Sequence, residues 1–560
     1  MPAASRPSLT RRFNARIPLR DGITLAADLV LPEQRPAPAV VMRTPYGRGG
    51  ERATARADPF AHAGYATVWV DVRGRGDSDG IFEPYRNDGP DGVDVIAWVA
   101  AQEWCDGRVV TYGGSYPGRI QWLTALHRPP ALAAMIVLVT PSDPFVENPT
   151  GVPGPMHVHW YRMTDGRVPQ YTESVDWMGV YGHRPLADLD EAAGFHSALW
   201  RAECRHQSLD EWWEPLRYQH RITEVDVPVL HISGWYDDEE IGTPANFAAM
   251  TAAGRAGQRL LMGPWGHQVN AGRRLGEVDF GDGSVVDLEA IMTGFLDEML
   301  GRRPAGGPAD SPAPARIFLM GANRWLDLPA WPPPECRQHV LYLDSSGGAN
   351  SRFGDGRLID EAPAEVSPAD AWRHDPDRPV PFITDASSAQ IGGPDDYAGV
   401  ETRGDVLVYT SQPLAEPLDA VGAVRLIAHV STSAADTDIT AKLLDVHPGG
   451  FVQRLCDGLV RLSRRAGHER PLSVQPGAVY EVEVVMWDTA HRFDAGHRIR
   501  LEVASSAHPK FAVNLGTEGD QTAQAEGVIA DNTLHHDAGR PSRLVLSVLP
   551  AGPAPDQPDP

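Results

Sequence analysis

A serine, an aspartate and a histidine in this chain have the side chains needed for acyl transfer. Ser115 follows a β-branched run at residues 109–111 and a Gly-Gly pair, and an apolar segment typical of a helix comes next. Asp237 and His267 each come shortly after a further apolar run. A serine nucleophile needs a base for its proton, a carboxylate that holds the base in the right tautomer, and donors for the developing oxyanion. The order Ser, Asp, His is therefore a hypothesis for a catalytic triad.

The segment Gly113-Gly-Ser-Tyr-Pro-Gly118 is typical of a nucleophile elbow, in which a strand turns sharply into a helix and exposes the serine. Small residues allow the strand and the helix to approach closely. The usual G-x-S-x-G spacing is not met, because Pro117 stands where the second glycine would be. Proline is tolerated there, since its missing N–H would have no partner in a first helical turn. A Gly-Ser turn without chemical function fits so short a motif equally well.

The acidic run that begins at Asp237 has two interpretations. Asp238 stands beside Asp237, so spacing alone does not choose between them as the triad acid. Glu239 and Glu240 follow directly, before a helix that Thr243 is expected to cap. Carboxylates held together gain from a bound cation, but acidic residues before a helix are also favoured by its dipole and are otherwise solvated.

The elements around these residues predict an α/β sheet. Apolar strand patterns and helical patterns alternate before residue 140 and again after residue 226, which predicts a largely parallel sheet with ligand sites at the carboxyl ends of its strands. We therefore assign residues 1–140 and 226–301 to two parts of one core. The strand patterns lie at 39–42, 65–71, 134–139, 227–233 and 259–262, and the helical patterns at 91–103 and 287–300.

Residues 141–225 interrupt this alternation with clustered aromatics and little strand pattern. An inserted helical cap would explain them, because lids exclude water and supply apolar walls for a substrate. Packing inside a small helical subdomain explains most of these rings equally well. Trp160 in this segment and Trp235 after it are candidates for substrate contact.

The second half of the chain is predicted to be all-β. Residues 302–315 form a Pro/Gly/Ala-rich linker, and short alternating segments bounded by Gly, Pro or Asp recur across 316–550. This pattern is typical of a sandwich or jelly roll. Residues 551–560 form a Pro/Asp-rich tail that we expect to be disordered.

Composition excludes several classes of partner. The net charge of -24 argues against a nucleic-acid partner, which would need a basic face. No apolar run approaches the length of a membrane span, so cytoplasmic residence is expected. The four cysteines lie far apart, and His157 and His159 have no third ligand nearby in the sequence, so we expect neither a metal nor another cofactor. Formation of a homo-oligomer through the β half is left open.

Several ordered motifs together resemble one family, the CocE/NonD hydrolases. This group includes cocaine-esterase-like enzymes, α-amino-acid ester hydrolases and the related Xaa-Pro dipeptidyl-peptidases. The resemblance covers nearly the whole chain. Its motifs are Thr44-Pro-Tyr46, Asp71-Val-Arg-Gly-Arg-Gly76, Gly113-Gly-Ser-Tyr-Pro-Gly118, Gly234-Trp-Tyr-Asp237, Gly263-Pro-Trp-Gly-His267, Asp436-Thr-Asp-Ile-Thr-Ala-Lys442-Leu and Gly496-His-Arg-Ile-Arg500.

The resemblance implies a role for each matching residue. Ser115 would be the nucleophile, His267 the general base and Asp237 the acid, with the Tyr46 hydroxyl and the Tyr116 backbone N–H as the oxyanion hole. It also implies an α/β-hydrolase fold with an inserted helical cap, followed by a C-terminal jelly roll. A phenol suits an oxyanion hole, because its pKa near ~10 lets it donate at neutral pH without carrying charge.

The implied activity is cleavage of an ester or amide bond in a small-molecule substrate. A carboxylesterase or acylase is the first choice, and a dipeptidyl-peptidase is the second. A catalytically inert protein that binds through its jelly roll is the alternative from another class. In the α-amino-acid ester hydrolases, carboxylates near the catalytic Asp help to bind the substrate's α-amino group, which makes Glu239 and Glu240 candidates here. A further carboxylate of that group comes from the cap, where the candidates are Asp143, Glu147 and Asp165.

Overall fold

The computed structural model describes residues 8–302, 313–385 and 392–550. Most of the expected linker, residues 303–312, and the expected tail, residues 551–560, lie outside the described residues.

The first twelve described strands build the predicted α/β sheet and one small hairpin. The sheet has ten strands in the order β1-β2-β4-β3-β5-β6-β7-β8-β11-β12, and β9 pairs only with β10. Neighbours from β4 to β11 run parallel, so their carboxyl ends lie along one edge. The bounds are β1 Thr10–Pro18, β2 Thr24–Leu31, β3 Ala37–Thr44, β4 Ala66–Asp71, β5 Cys105–Gly114, β6 Leu132–Leu138, β7 Val229–Gly234, β8 Gln258–Gly263, β9 Arg274–Leu275, β10 Val278–Asp279, β11 Ala315–Leu319 and β12 Arg324–Leu328.

Helices cover both faces of this sheet, because its central strands are apolar on both sides. The α-helices are α1 Glu51–His62, α2 Asp88–Ala100, α3 Tyr116–Ala125, α4 His157–Met163, α5 Trp177–Tyr181, α6 Leu189–Ala192, α7 Ala198–Arg205, α8 Gly242–Ala252 and α9 Leu288–Met299. Side chains of α2, α3 and α8 pack on one face, and those of α1 and α9 pack on the other. Short 3-10 helices lie at Leu186–Asp188, Glu214–Leu216, Gln219–Glu224, Asp282–Ser284, Val400–Thr402, Leu462–Arg464 and Gln521–Ala523.

The segment between β6 and β7 contains only helices and loops, as expected for a cap. Its core holds buried rings such as Trp177, Tyr181 and Trp200, which supports packing as the role of most cap aromatics. This core also includes Phe382 and Phe511, which come from the β half. The cap is therefore packed between the sheet and the second domain.

The second half is all-β, as predicted. Eleven strands form one sheet whose long strands β17 and β20 pair antiparallel along most of their length. The bounds are β13 Arg337–Asp344, β14 Arg357–Ile359, β15 Asp370–His374, β16 Leu407–Thr410, β17 Leu418–Thr432, β18 Asp438–Val446, β19 Val452–Arg461, β20 Tyr480–Phe493, β21 Arg498–Ala504, β22 Ala530–His535 and β23 Arg543–Leu549. Its core is built from inward-facing apolar residues of these strands.

Two sequence-based boundaries differ from the structure. The strand expected at the start of the β half is β11, which instead lies parallel to β8 and extends the first sheet. An alternating apolar pattern shows that a strand is buried but does not show which sheet it joins. The helix expected to be capped by Thr243 begins at Gly242, with Ile241 at the N-cap and no side-chain cap.

Candidate active site

Ser115 lies at the bend between β5 and α3, in a strained backbone conformation. Its φ of 61° and ψ of −132° are unusual for a residue other than glycine, a cost of about 1–3 kcal/mol that surrounding structure has to hold. Its backbone N–H donates to the carbonyls of Leu138 and Val139, at 3.0 and 2.9 Å. A Cβ on Gly113 would lie 2.5 Å from Cβ of Pro117, so only glycine lets the strand pass this close to the helix. The serine is left partly exposed.

His267 and Asp237 form a hydrogen-bonded pair. Both follow adjacent parallel strands, β8 and β7, and the His267 Nδ1–H donates to Asp237 Oδ1 at 2.8 Å. A carboxylate only accepts, so this contact leaves Nε2 of the imidazole as the atom that can take a proton. Asp237 is buried, and its Oδ2 accepts a hydrogen bond from the Ser233 hydroxyl at 2.7 Å. The carboxylate is therefore fixed by two side chains.

Neighbouring carboxylates raise the pKa of His267. Burial lowers the pKa of this imidazole, but the hydrogen bond and charge of Asp237, with the charges of Glu239 and Asp238, outweigh that effect and raise it to about 10. The Asp238 carboxylate lies close to the ring, with its Oδ1 3.7 Å from His267 Nδ1. A change of charge at Asp238 or Glu239 therefore changes the protonation of His267 directly.

Tyr46 lies in the loop after β3, where its phenol meets the elbow. Trp160 in α4 donates its indole N–H to the Tyr46 oxygen at 3.0 Å. Burial raises the pKa of Tyr46 to about 12, against a lowering by its hydrogen bonds with Trp160 and Ser115, and the charge of Glu239 adds to the increase. The phenol therefore stays protonated throughout the neutral range and can donate.

Tyr116 is the first residue of α3, so its backbone N–H is one of those at the helix start that lack a partner within the helix. The side chain points away from this N–H, because its hydroxyl donates to the buried Asp88 at 2.5 Å. Its ring stacks on Trp160 and on Tyr85, at 6.0 and 4.4 Å between centroids. These contacts fix the start of the helix beside Ser115.

Arg75 is a positioning residue that sequence reasoning did not single out. It is fully buried, and its guanidinium donates to the carbonyls of Pro45 at 2.8 Å, Thr164 at 2.6 Å and Gly166. It thus joins the Tyr46 loop to the cap. The Asp-Val-Arg-Gly-Arg-Gly motif contained this residue, but a sequence pattern does not show which of its two arginines is buried.

Three carboxylates lie together next to this site. Burial raises the pKa of Asp238 to about 6, with the charge of Asp237 adding to the increase and that of His267 opposing it. Burial also raises the pKa of Glu239 well above its usual value. Glu147 in the cap contributes to the shift of Glu239, and burial raises its own pKa to about 7. Glu239 Oε2 is shielded from solvent and has no hydrogen-bond partner among the described atoms. Such an arrangement favours a cation between these groups.

The structure places other candidate residues elsewhere. Glu240 is buried against the β half, beside Asp488 and Lys510, and does not belong to the carboxylate group around Glu239. The expectation that Trp235 contacts substrate is wrong, since its N–H donates to the Phe318 carbonyl at 2.8 Å inside an apolar core. Local sequence did not distinguish these positions, because it does not show which way each side chain of this turn faces.

The remaining cap candidates have structural contacts. Asp143 accepts the backbone N–H groups of Tyr218 and Gln219, at 2.7 and 3.1 Å. Asp165 lies on the surface, 3.6 Å from Arg162. Glu147 is therefore the cap carboxylate that the fold brings to Glu239.

Comparisons with known proteins identify the family of this chain. Residues 21–269 match the family model for X-Pro dipeptidyl-peptidase (S15 family), and residues 308–545 match the model for the X-Pro dipeptidyl-peptidase C-terminal non-catalytic domain. Cocaine esterase of Rhodococcus sp. (strain MB1 Bresler) is 32% identical over 568 residues, which cover 96% of this chain and 98% of that protein. The chain belongs to the CocE/NonD family of serine hydrolases.

Solved structures show that this CocE/NonD hydrolase shares its fold over nearly its whole length. An aminopeptidase from the marine sediment archaeon Thaumarchaeota archaeon has a TM-score of 0.86 and 25% identity, with 98% of each chain covered. An α-amino acid ester hydrolase has a TM-score of 0.85 and 24% identity, again with 98% of each chain covered. The predicted fold class, an α/β-hydrolase domain followed by a β-rich domain, is confirmed. Among the described residues of this CocE/NonD hydrolase, no helix is both long enough and apolar enough to cross a bilayer.

Proposed function

We propose that this serine hydrolase cleaves an ester or amide bond of a small acyl substrate through Ser115, His267 and Asp237, by way of an acyl-enzyme. The observation that supports this most is the 2.8 Å hydrogen bond from His267 to a carboxylate that Ser233 also holds. A carboxylate in this position selects the imidazole tautomer whose Nε2 carries no hydrogen and can accept a proton.

In the proposed acylation, His267 Nε2 takes the Ser115 proton while the serine oxygen attacks the substrate carbonyl. Asp237 stabilises the imidazolium that forms. The same nitrogen then returns the proton to the leaving alcohol or amine. Water attacks the acyl-enzyme with His267 again as base, and Ser115 is released.

The oxyanion would be held by the Tyr46 hydroxyl and the Tyr116 N–H. Trp160 donates to the Tyr46 oxygen, so the O–H of Tyr46 is turned away from the indole and is free to donate on the elbow side. A donor fixed before the reaction needs no reorganisation in the transition state, which is why a single one is worth about 3 kcal/mol.

Labelling with a fluorophosphonate probe tests the nucleophile. We expect one adduct on Ser115 in the wild type, none in Ser115→Ala, and hydrolysis of p-nitrophenyl esters by the wild type alone. A reactive Ser115→Ala variant would place the nucleophile elsewhere. A folded but unreactive wild type would favour the inert binding protein.

A second candidate is hydrolysis of substrates that carry a free α-amino group, such as α-amino-acid esters or N-terminal peptides. It is favoured by the carboxylates of Glu147, Asp238 and Glu239. Two of their oxygens, Asp238 Oδ1 and Glu239 Oε2, are buried without a hydrogen-bond partner among the described atoms. A substrate ammonium between them would offset their charges. This would also lower the pKa of His267, so that the imidazole becomes neutral and can act as a base. Binding of a substrate with a free α-amino group would therefore activate the enzyme.

Comparison of an α-amino-acid ester with its N-acetylated form tests this candidate. We expect kcat/KM for the free amine to exceed that for the acetylated ester at least tenfold, and we expect Glu239→Gln to remove most of this preference. Equal rates would refute the ammonium site and leave the esterase proposal intact. Xaa-Pro anilides in the same panel test the dipeptidyl-peptidase alternative, since only they require cleavage after proline.

A further inference from the structure

Three histidines surround one buried aspartate in the β half, apart from the proposed active site. Asp445 lies near the end of β18, and His447 follows it in the turn to β19. His491 lies on β20, and His497 lies in the turn between β20 and β21. The four side chains thus come from two segments, 445–447 and 491–497, that are distant in sequence.

The distances show a compact cluster. His491 Nε2 lies 2.8 Å from Asp445 Oδ2, and His497 Nδ1 lies 2.9 Å from Asp445 Oδ1. His447 Nε2 lies 3.6 Å from Asp445 Oδ2, and its ring centroid is 4.5 Å from that of His497. One ligand atom from each of Asp445, His447 and His497 falls within 4.8 Å of the other two.

This number of imidazoles exceeds what the aspartate needs as a hydrogen-bonded group. The contact with His491 alone gives Asp445 a charge-assisted partner, and that histidine is almost fully buried. His447 and His497 bring two more nitrogen donors to the same carboxylate. Two imidazoles and a carboxylate are ligands that zinc and other divalent transition metals prefer.

The proposed ligands can be reached by an ion from solvent. The side chains of His447 and His497 are 33% and 15% exposed, while Asp445 is 1% exposed, so the carboxylate forms the floor of a site that is open on one side. Gln453 places its Oε1 3.2 Å from His447 Nε2 and donates its amide to the Tyr236 hydroxyl at 3.1 Å. Gln453 Oε1 therefore lies beside the ligating nitrogen of His447, at the edge of the site.

We propose that Asp445, His447 and His497 bind one divalent transition-metal ion such as Zn²⁺, with His491 orienting the carboxylate. Three protein ligands leave one position for water. The ion would bind the lone pair of His447 Nε2 and of His497 Nδ1, and the hydrogen of each neutral ring would stay on its other nitrogen.

The ion would link the turn between β18 and β19 to the turn between β20 and β21, close to the first domain. The backbone N–H of Met320, just after β11, donates to the Ala490 carbonyl at 2.9 Å, beside His491. Binding is therefore expected to raise the thermal stability of the full chain, because a ligand that binds only the native state stabilises it. The catalytic chemistry proposed above does not depend on this ion.

Calorimetric titration of the chelator-treated full-length protein with ZnCl₂ tests the proposal. We expect one equivalent bound and a rise in Tm. The double variant His447→Ala/His497→Ala is expected to bind at least tenfold more weakly. His339→Ala, which removes an equally exposed histidine elsewhere in the β half, serves as the matched control and should bind like the wild type.

Two further variants keep the outcome clear. Asp238→Asn/His267→Ala removes the other group of metal-ligating side chains in the described residues and should still bind one equivalent. His447→Gln retains a hydrogen-bonding side chain, so weak binding by this folded variant separates metal ligation from loss of structure. The proposal is overturned if the wild type binds zinc no more tightly than His447→Ala/His497→Ala. It is also overturned if Asp238→Asn/His267→Ala is the variant that loses binding while His447→Ala/His497→Ala keeps it.

Discussion

The substitution Tyr46→Phe provides the sharpest test of the proposed mechanism. It removes one hydroxyl and leaves the ring, so packing against the cap is kept. If Tyr46 donates to the oxyanion, the loss of that donor raises the barrier by about 3 kcal/mol and lowers kcat by about 100- to 1,000-fold. KM should change little, because the negative charge on the carbonyl oxygen exists only in the transition state.

Trp160→Phe tests the orientation of the Tyr46 hydroxyl while leaving that hydroxyl in place as a donor. The Tyr46 hydroxyl remains but loses the 3.0 Å hydrogen bond from the indole that turns it toward the elbow. A neutral hydrogen bond contributes about 1 kcal/mol net, so we expect only about a fivefold loss of kcat. Tyr46→Phe also leaves the half-buried Trp160 N–H without its acceptor, at a cost of about 1 kcal/mol in the free energy of unfolding.

The assay is the single-turnover rate of acylation with a p-nitrophenyl ester, with Tm measured on the same samples. Tyr112→Phe is the matched control, because it removes a buried phenol from the core between the sheet and helices α1 and α9 and should leave acylation unchanged. The reasoning is refuted if Tyr46→Phe acylates within threefold of the wild type. It is also refuted if Trp160→Phe is the more damaging of the two in a folded protein.

Three other predictions follow from the charges. For a neutral ester, activity requires neutral His267 and is lost as pH falls through the raised pKa of this residue. Glu239→Gln removes a charge that raises this pKa, so it should move the acid limb of the pH–kcat/KM profile to lower pH. An acid limb at the wild-type pH would contradict the coupling between Glu239 and His267. Asp237→Asn should lower kcat about 10⁴-fold without unfolding the protein, because an amide favours the wrong imidazole tautomer, and a loss below tenfold in steady-state kinetics would contradict its role. Lys442→Met should reduce the free energy of unfolding by about 3–5 kcal/mol in denaturant titrations, since it leaves its buried partner Glu502 unpaired, and wild-type stability would contradict this.

Strand patterns carried most of the information about the first domain. The runs at 65–71, 227–233 and 259–262 are apolar because both faces of their strands are covered, and each lies within or next to a strand of the parallel sheet. Parallel strands place the loops that follow them at one edge. For this reason the order of strands and loops was enough to predict which loops meet.

Contacts between distant segments could not be predicted in the same way. The charge of Glu147 acts on Glu239 only because the cap folds back over the sheet, and three cap carboxylates were equal candidates in the sequence. Trp235 and Trp160 are both tryptophans near apolar segments, yet one is in an apolar core and the other contacts the Tyr46 phenol. The neighbours of a side chain depend on tertiary packing, which periodicity does not encode.

The apolar core shared by the cap with Phe382 and Phe511 limits how selectivity can be redesigned in this enzyme. A cap transplanted from a relative would meet a foreign surface on the β half and would lose part of its hydrophobic interior. Grafts that exchange the cap together with the segments bearing these two phenylalanines should keep that interior intact. In this architecture, the β half supplies part of the interior that holds the cap together.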